Sequence, residues 1–328
     1  MADRLTLQAC AAGSNVLLAV CRDFAENRLA HGLLFTGAPG IGKKTFARLL
    51  AQALLCTGEG EKPCGQCRDC RRFLDGAHPD ALIPTPAPRE KTIKIEALRD
   101  TINALSHHSM GGGRRVVLIE NAERMTPQAQ NCLLKTLEEA EDQTYFLLTT
   151  DLEAQMLPTI RSRCRIVRMQ PWAETRVREE LLRRGVPPQR AQTLASFCEG
   201  SLGRALQMQE DESYWPAREL VKASFLSLRR EADQATAAAL LKDQKEQGDR
   251  LLNILEQELR ALLQARAVGR DGAEELPEQW RQASPQGLCA ILNGIMEARR
   301  QRFANVSWPA VAAGLMQIIA EEIKKWQA

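Results

Sequence analysis

The sequence predicts an α/β fold in which a largely parallel sheet is covered by helices on both faces. Three observations lead to this prediction. Short apolar runs typical of buried strands alternate with helical patterns in the first half of the chain. A glycine-rich turn connects the first of these runs to a helix. After position 170 the pattern becomes helical throughout.

The predicted strands are apolar runs bounded by turn residues or by helical segments. Their lack of regular polar alternation is typical of strands that are buried on both faces, as in a parallel sheet. The segments between them include helices long enough to return the chain to the same edge of the sheet. The runs lie at 33–35, 81–83, 115–119, 145–150 and 165–168.

The turn after the first strand has the composition of a phosphate-binding loop. It reads Gly37-Ala38-Pro39-Gly40-Ile41-Gly42-Lys43 and leads into a predicted helix at 46–55. Glycines allow backbone N–H groups to turn inward, and the helix N-terminus adds a partial positive charge. We expect Lys43 to reach a β- or γ-phosphate.

The position after the loop lysine departs from the usual pattern, which places Ser or Thr there to bind Mg²⁺. This chain has Lys44 instead. Thr45 lies about 100° further round the helix and is not expected to reach the same point. The loop is therefore suited to phosphate but poorly suited to the metal. Nucleotide binding and retention of the loop for the fold alone both stay open.

A second departure follows the strand at 115–119. P-loop ATPases end this strand in an Asp that orients Mg²⁺, often followed by a Glu that activates water. This chain has Glu120 and Asn121. Glu120 could bind the metal with a longer side chain, but Asn121 cannot act as a general base. We therefore predict that bound ATP is not hydrolysed and that the chain has no intrinsic ATPase activity.

Four cysteines lie within fifteen residues just after the loop helix, at Cys56, Cys64, Cys67 and Cys70. Four thiolates at this spacing can hold one tetrahedral Zn²⁺ in a structural site. A redox pair or an iron–sulfur cluster is the alternative. Because four sulfurs close the site, a catalytic metal is not expected.

Length and charge limit the remaining possibilities. The 328 residues have room for two or three domains, and a net charge of +3 excludes a strong overall basic field. We find neither a secretory leader in the first fifteen residues nor an apolar run long enough for a bilayer, so we expect a cytoplasmic protein without a membrane partner.

Taken together, these motifs resemble the clamp-loader branch of AAA+ proteins. The resemblance covers nearly the whole chain and is densest from His31 to Arg168. It implies an AAA+ P-loop domain at 1–169 with a zinc module at 56–70, a helical lid at 170–208 and an all-α collar at 209–328. The motifs are the loop at 37–43, the four cysteines, Asn131-Cys132-Leu133-Leu134-Lys135-Thr136-Leu137-Glu138-Glu139, and Ser162-Arg163-Cys164.

The resemblance also implies roles for individual residues. Arg163 matches an arginine finger that enters the nucleotide site of a neighbouring subunit, where a guanidinium stabilises charge on the γ-phosphate. The alternative is an arginine paired with a carboxylate at the start of a strand. Thr149 or Thr150 matches the sensor-1 position. The nucleotide-binding set would comprise Gly37, Gly40, Gly42, Lys43, Lys44, Thr45 and, at the sensor-2 position, Arg204.

By the same resemblance, the chain would be a non-hydrolysing ring subunit that helps load a sliding clamp onto primed DNA. Its partners would be the γ/τ and δ clamp-loader subunits, the clamp and primer-template DNA, while polymerisation would belong to other subunits of the holoenzyme. The expected DNA contacts are Arg99, Lys135 and Thr136, although Lys135 could equally be a solvated surface lysine.

Two other functions remain as alternatives. The chain could be an ATP-hydrolysing subunit of the γ/τ type, against which Lys44 and Asn121 argue. It could also be a zinc-dependent nucleic-acid binder. The near-neutral net charge and the lack of aromatic stacking residues near the cysteines argue against that function.

Overall fold

The computed structural model describes residues 6–88, 90–106, 113–139, 143–229, 233–267 and 276–327. The chain forms two compact units. The first comprises Met1–Arg184 with Glu199–Arg204, and the second comprises Gly185–Cys198 with Ala205–Ala328. The domain boundaries expected at 169 and 208 remain a prediction.

The first unit is built on a sheet of five parallel strands, in the order β2-β3-β4-β1-β5. In the register of the sheet, Phe35 on β1 lies opposite Thr149 on β4 and Val167 on β5. All five predicted strands are confirmed. They are β1 (Gly32–Thr36), β2 (Ala81–Leu82), β3 (Arg115–Ile119), β4 (Thr144–Thr150) and β5 (Arg165–Arg168).

Helices of the first unit alternate with these strands, as the sequence predicts. The start of α6 illustrates how the local sequence begins a helix. The Thr126 hydroxyl accepts a hydrogen bond from the Ala129 N–H at 3.2 Å, and Pro127 occupies the first turn. These helices are α1 (Leu7–Ala11), α2 (Asn15–Ala25), α3 (Lys43–Leu55), α4 (Arg68–Leu74), α5 (Ile95–Ser106), α6 (Pro127–Glu138), α7 (Pro158–Arg163) and α8 (Glu174–Arg183).

Two hydrophobic cores lie on opposite faces of the sheet, because successive side chains of a strand point to opposite faces. Leu33 and Phe35 of β1 belong to the core that α3 covers, where Phe35 and Phe46 make an edge-to-face contact with ring centroids 5.6 Å apart. Leu34 belongs to the other core, together with Leu133 of α6. Helices α3 and α6 therefore pack against opposite faces of the sheet. Helix α3 begins with Lys43 of the phosphate loop, and α6 carries most of the motif at 131–139.

The described residues of the second unit form helices that are joined by turns and loops. Two buried tryptophans fix its connections: the Trp280 indole donates to the Leu226 carbonyl at 2.8 Å, and that of Trp308 to the Leu241 carbonyl at 2.9 Å. Within the described ranges, no helix of the chain is both long and apolar enough to cross a bilayer. The helices are α9 (Pro188–Phe197), α10 (Leu202–Glu210, which begins in the first unit), α11 (Tyr214–Val221), α12 (Gln234–Leu241), α13 (Gly248–Ala267), α14 (Pro285–Phe303) and α15 (Trp308–Gln327).

Candidate functional site

The phosphate loop follows β1 and uses its glycines where other residues would be strained. Gly37, Gly40 and Gly42 have φ values of 145°, 75° and 99°, in the region that glycine adopts most readily. Space is also limiting. A Cβ at Gly37 would lie 2.6 Å from the Met169 carbonyl oxygen, and one at Gly40 would lie 2.4 Å from the Ser201 hydroxyl. The sequence pattern therefore reflects a real conformational need.

Lys43 begins α3 and is almost fully buried, with 5% of its surface exposed. Its ammonium donates to the carbonyl oxygens of Gly37 and Ala38, each at 2.6 Å. It also forms an ion pair with Asp151 at 2.6 Å. Two hydrogen bonds and one ion pair within the chain therefore hold the ammonium. Lys43 thus follows the loop with its charge paired internally, and its contact with a phosphate stays a prediction.

The two residues after this lysine are exposed to solvent. Lys44 and Thr45 are both exposed on α3. The expectation that the Thr45 hydroxyl does not replace the missing metal ligand stays a prediction. Neither side chain is buried beside Lys43, so their assignment to a nucleotide site stays a prediction.

The acid at the end of β3 is already paired. Arg48 of α3 donates two hydrogen bonds to the Glu120 carboxylate, the longer at 3.2 Å. The hydrogen bond with Glu120 raises the pKa of Arg48. Asn121 donates its backbone N–H to the Thr149 hydroxyl at 3.2 Å. The sensor-1 candidate Thr149 is therefore tied to the residue that replaces the usual base.

A third ion pair lies at the same edge of the sheet. Arg168 at the end of β5 donates two hydrogen bonds to Glu153, at 2.7 and 3.2 Å, and these bonds hold the pKa of Glu153 below its ordinary value. Glu153 also accepts a hydrogen bond from Thr36 at 3.2 Å. Three acids that could face a nucleotide, Glu120, Asp151 and Glu153, are therefore each bound to a cation.

Sequence reasoning missed Asp151, Arg48 and Glu153. One signal for Asp151 was present: it directly follows β4, and the carboxyl ends of neighbouring parallel strands meet at one edge of a sheet, where ligands bind. For Arg48 and Glu120, which are 72 positions apart, the sequence offers no comparable signal.

The segment 199–204 covers the phosphate loop within the first unit. The Gly203 N–H donates to the Gly40 carbonyl at 2.9 Å, and the Ser201 hydroxyl donates to the Pro39 carbonyl at 3.0 Å. Arg204, the sensor-2 candidate, forms an ion pair with Glu199 at 3.1 Å. The backbone of this segment therefore contacts the loop while its arginine is engaged with Glu199.

Arg163 is the last residue of α7, and its side chain is one-third exposed. It forms an ion pair with Glu138 of α6, whose side chain is 48% exposed. It also donates a hydrogen bond to the Thr159 carbonyl at 3.0 Å. In the isolated chain Arg163 is therefore paired with a carboxylate, which is the alternative given in the sequence analysis. Such exposed pairs contribute only about 0–1 kcal/mol, so this one can be exchanged for a stronger partner.

Gln130 of α6 fixes the start of α7, and sequence reasoning missed it. Its buried side chain accepts a hydrogen bond from the Leu157 N–H at 2.8 Å and donates to the Gln155 carbonyl at 3.4 Å. Because Leu157 immediately precedes α7, this contact ties the helix that ends in Arg163 to α6.

The four cysteine sulfurs lie within 4.8 Å of one another. Two of the Sγ–Sγ distances, Cys56 to Cys67 and Cys64 to Cys70, are both 4.0 Å. A tetrahedral zinc site with Zn–S bonds of about 2.3 Å has sulfurs about 3.8 Å apart. The cluster therefore fits a metal ion such as zinc, and four thiolates would complete its coordination.

Backbone groups around the cluster favour thiolates. The N–H of Cys64 donates to the Cys56 sulfur and that of Cys67 to the Cys64 sulfur, both at 3.2 Å. Burial alone would raise the pKa of the Cys67 thiol, yet hydrogen bonds from the Cys70 and Thr57 backbones, with help from neighbouring thiols, lower it to about 5. Hydrogen bonds from the backbones of Cys67 and Gln66 likewise lower the pKa of Cys64.

The cysteine cluster is attached to the phosphate-loop helix. Cys56 ends α3, and the buried Gln52 of the same helix donates to the Cys70 carbonyl at 3.2 Å. His78 lies just before a turn, and its Nε2 is 3.6 Å from the Asp69 carboxylate. His78 is thus a neighbour of the cluster and not a fifth ligand.

The three residues expected to contact DNA lie on α5 and α6, which pack against each other. Arg99 and Lys135 are exposed, and Thr136 is half-buried. The Lys135 ammonium lies 3.9 Å from Glu139 on the same helix. Their role stays a prediction.

The parallel sheet, the phosphate loop after β1 and the helical C-terminal part define an α/β protein with a P-loop. Within this class the chain is similar to subunit delta′ of bacterial DNA polymerase III. Residues 14–173 match the family model described as "DNA polymerase III, delta subunit".

Individual relatives show the same similarity to subunits of bacterial DNA polymerase III. The delta′ subunit of Haemophilus influenzae is 38% identical over 147 residues, which are 45% of each chain. That of Bacillus subtilis is 27% identical over 308 residues, covering 90% of this chain and 92% of the relative. Subunit tau of Escherichia coli is 35% identical over 202 residues, 59% of this chain and 31% of tau. Apart from the Bacillus protein, the chain spans about half the length of the delta′ relatives it matches.

Proposed function

We propose that this chain is a non-hydrolysing subunit of a bacterial clamp loader, which helps load a sliding clamp onto primed DNA in the cytoplasm. Its partners would be the γ/τ and δ subunits, the clamp and primer-template DNA. The similarity to delta′ subunits over residues 14–173 and beyond supports this proposal. The observation on which it chiefly depends is the state of the hydrolytic residues.

Those residues lack the parts that hydrolysis needs. Lys44 stands where a metal-binding hydroxyl is required, and Asn121 stands where a base is required. Glu120, the remaining acid, is held by Arg48. Recovering hydrolysis would therefore require both a new metal ligand and a new base. The loop could still hold a nucleotide without turning it over.

The chemistry would then occur in a neighbouring subunit, with Arg163 as the donated group. Arg163 ends a short helix at the surface and its present partner, Glu138, is half-exposed. A bound γ-phosphate carries more negative charge than one carboxylate and accepts several hydrogen bonds. The guanidinium would exchange Glu138 for that phosphate when a neighbour presents it. Thr159 and Gln130 would keep the end of α7 in position during the exchange.

A structural Zn²⁺ held by Cys56, Cys64, Cys67 and Cys70 forms part of the proposal. The metal would cross-link the segment between α3 and α4, which otherwise has few apolar residues to order it. DNA contact inside the ring would come from Arg99, Lys135 and Thr136. Such phosphate contacts are independent of base sequence and weaken with salt.

The proposal predicts that Arg163→Ala lowers ATP turnover of the reconstituted ring. A finger that is the main charge stabiliser can contribute about 10³–10⁵ in rate at its own site. The loss for the whole ring should be smaller, because the chain serves one site among several. The measurement is DNA-stimulated ATP hydrolysis by a ring assembled from γ/τ, δ and this chain, with and without the substitution.

Lys43→Ala tests the hydrolysing alternative, since it removes the cation of this chain's own phosphate loop. It should leave turnover by the ring near the wild-type value. Unchanged turnover in the Arg163→Ala ring would count against the finger role. A loss confined to Lys43→Ala would instead support the alternative, an ATP-hydrolysing subunit of the γ/τ type.

A further inference from the structure

The Lys43 ammonium is held by two hydrogen bonds and one ion pair. Two of its donors are held by the carbonyls of Gly37 and Ala38. These bonds fix the ammonium at the mouth of the loop. The ammonium also forms an ion pair with the Asp151 carboxylate, 2.6 Å away. We propose that Asp151 acts as an internal anion that occupies the phosphate position of the loop and thereby controls the affinity of this chain for nucleotide.

The geometry favours a carboxylate that stands in for a phosphate oxygen. Both groups accept charge-assisted hydrogen bonds from an ammonium at about 2.7–2.9 Å. Lys43 is 5% exposed, so it has little access to water in place of an anion, whereas the Asp151 side chain is one-third exposed. Asp151 can therefore swing into solvent when a phosphate arrives, while the lysine stays in the loop.

A second set of contacts, from the segment 199–204, holds the backbone of the phosphate loop in place. The Gly203 N–H and the Ser201 hydroxyl donate to the carbonyls of Gly40 and Pro39. The backbones approach so closely that a Cβ at Gly203 would lie 2.8 Å from the Gly40 carbonyl oxygen. The conformation of the loop backbone is thus stabilised by contacts that do not involve Asp151. Removal of the carboxylate should open the phosphate position while leaving the loop folded.

Two acids near the loop are distinguished by their partners. Asp151 contacts Lys43, whereas Glu153 is bound by Arg168 and Thr36. Both carry one negative charge at the same edge of the sheet. Neutralising either one removes the same charge from the region, but only Asp151→Asn removes the internal anion from the lysine. Glu153→Gln is therefore a matched control for the general electrostatic effect.

The experiment measures binding of ATP and of inorganic pyrophosphate to the full chain by calorimetry, with and without Mg²⁺. The apparent affinity for nucleotide is proportional to the fraction of molecules in which Asp151 does not occupy the phosphate position. If Asp151 occupies it about 90% of the time, the affinity is lowered about tenfold. Asp151→Asn and Asp151→Ala should each tighten binding of both ligands by about tenfold or more. Adding Lys43→Ala to Asp151→Asn should abolish the gain. Thermal melting confirms that each variant is folded.

Three results would overturn the inference. The first is equal affinity of the wild type and both Asp151 variants. The second is no binding by any of them, because the loop would then be closed for another reason. The third is an equal gain in Glu153→Gln, which would mark a general charge effect. The inference goes beyond the proposed function, since binding to the isolated chain does not depend on Arg163 or on a ring.

Discussion

Glu258→Ala is expected to destabilise the second unit by about 3–5 kcal/mol, because it leaves a buried guanidinium without its carboxylate. Arg218 of α11 donates to Glu258 of α13 at 2.7 Å, and the two side chains are only 6% and 5% exposed. The Arg218 guanidinium also lies over the rings of Phe197 and Trp215. At 6% exposure the guanidinium has little access to water. Chemical denaturation of the full chain measures the loss.

Glu297→Ala is the matched control for this prediction. Glu297 pairs with Arg300 at 3.5 Å on the surface of α14, where both side chains are more than half exposed. Exposed pairs contribute about 0–1 kcal/mol, so this change should have little effect. Replacing both partners, in Arg218→Met with Glu258→Leu, should recover much of the lost stability. A loss below about 1 kcal/mol in Glu258→Ala would show that the pair is not desolvated in solution.

Removal of the metal is expected to unfold the cysteine module and to lower the melting temperature of the first unit. Structural zinc sites contribute apparent binding free energies of about 10–16 kcal/mol in small zinc-dependent peptides. The module buries Cys56 and Cys70 but has few apolar groups, so we expect a substantial part of its order to depend on zinc. Cys70→Ser should have the same effect as a chelator. The measurements are zinc content by atomic emission and thermal melting.

Cys289→Ser is the control for cysteine substitution, because Cys289 is an exposed thiol outside the cluster. It should leave zinc content at one ion per chain and the melting temperature unchanged. Limited proteolysis adds a local measurement: cleavage between Cys56 and Cys70 should increase only when zinc is lost. Equal melting of the metal-free and metal-containing protein would contradict a structural role for the ion.

Much of the architecture could be predicted from local sequence features. The strands at 33–35 and 115–119 are apolar on both faces, which a parallel sheet between two helical layers requires. The loop was recognisable because Gly40 and Gly42 occupy left-handed backbone positions that favour glycine. The cysteine cluster was recognisable because its spacing alone brings the sulfurs together.

The pairing of charges could not be predicted in the same way. Lys43 and Asp151, like Arg48 and Glu120, meet because distant strands end at one edge of the sheet. No periodicity in the sequence specifies which carboxylate reaches which cation. Arg163 is the clearest example of a contact that the sequence did not predict. Its motif implies a partner in another subunit, yet in the isolated chain it is paired with Glu138. The sequence therefore predicted where charges lie better than which groups they contact.

The most direct test of the account is ATP turnover by the purified chain alone, at saturating Mg²⁺ and with primed DNA present. Because Lys44, Asn121 and the Arg48–Glu120 pair leave neither a metal ligand nor a base, we predict no hydrolysis above the uncatalysed background, and the same value in Lys43→Ala. Sustained turnover that Lys43→Ala abolishes would contradict the account and assign the chemistry to this chain.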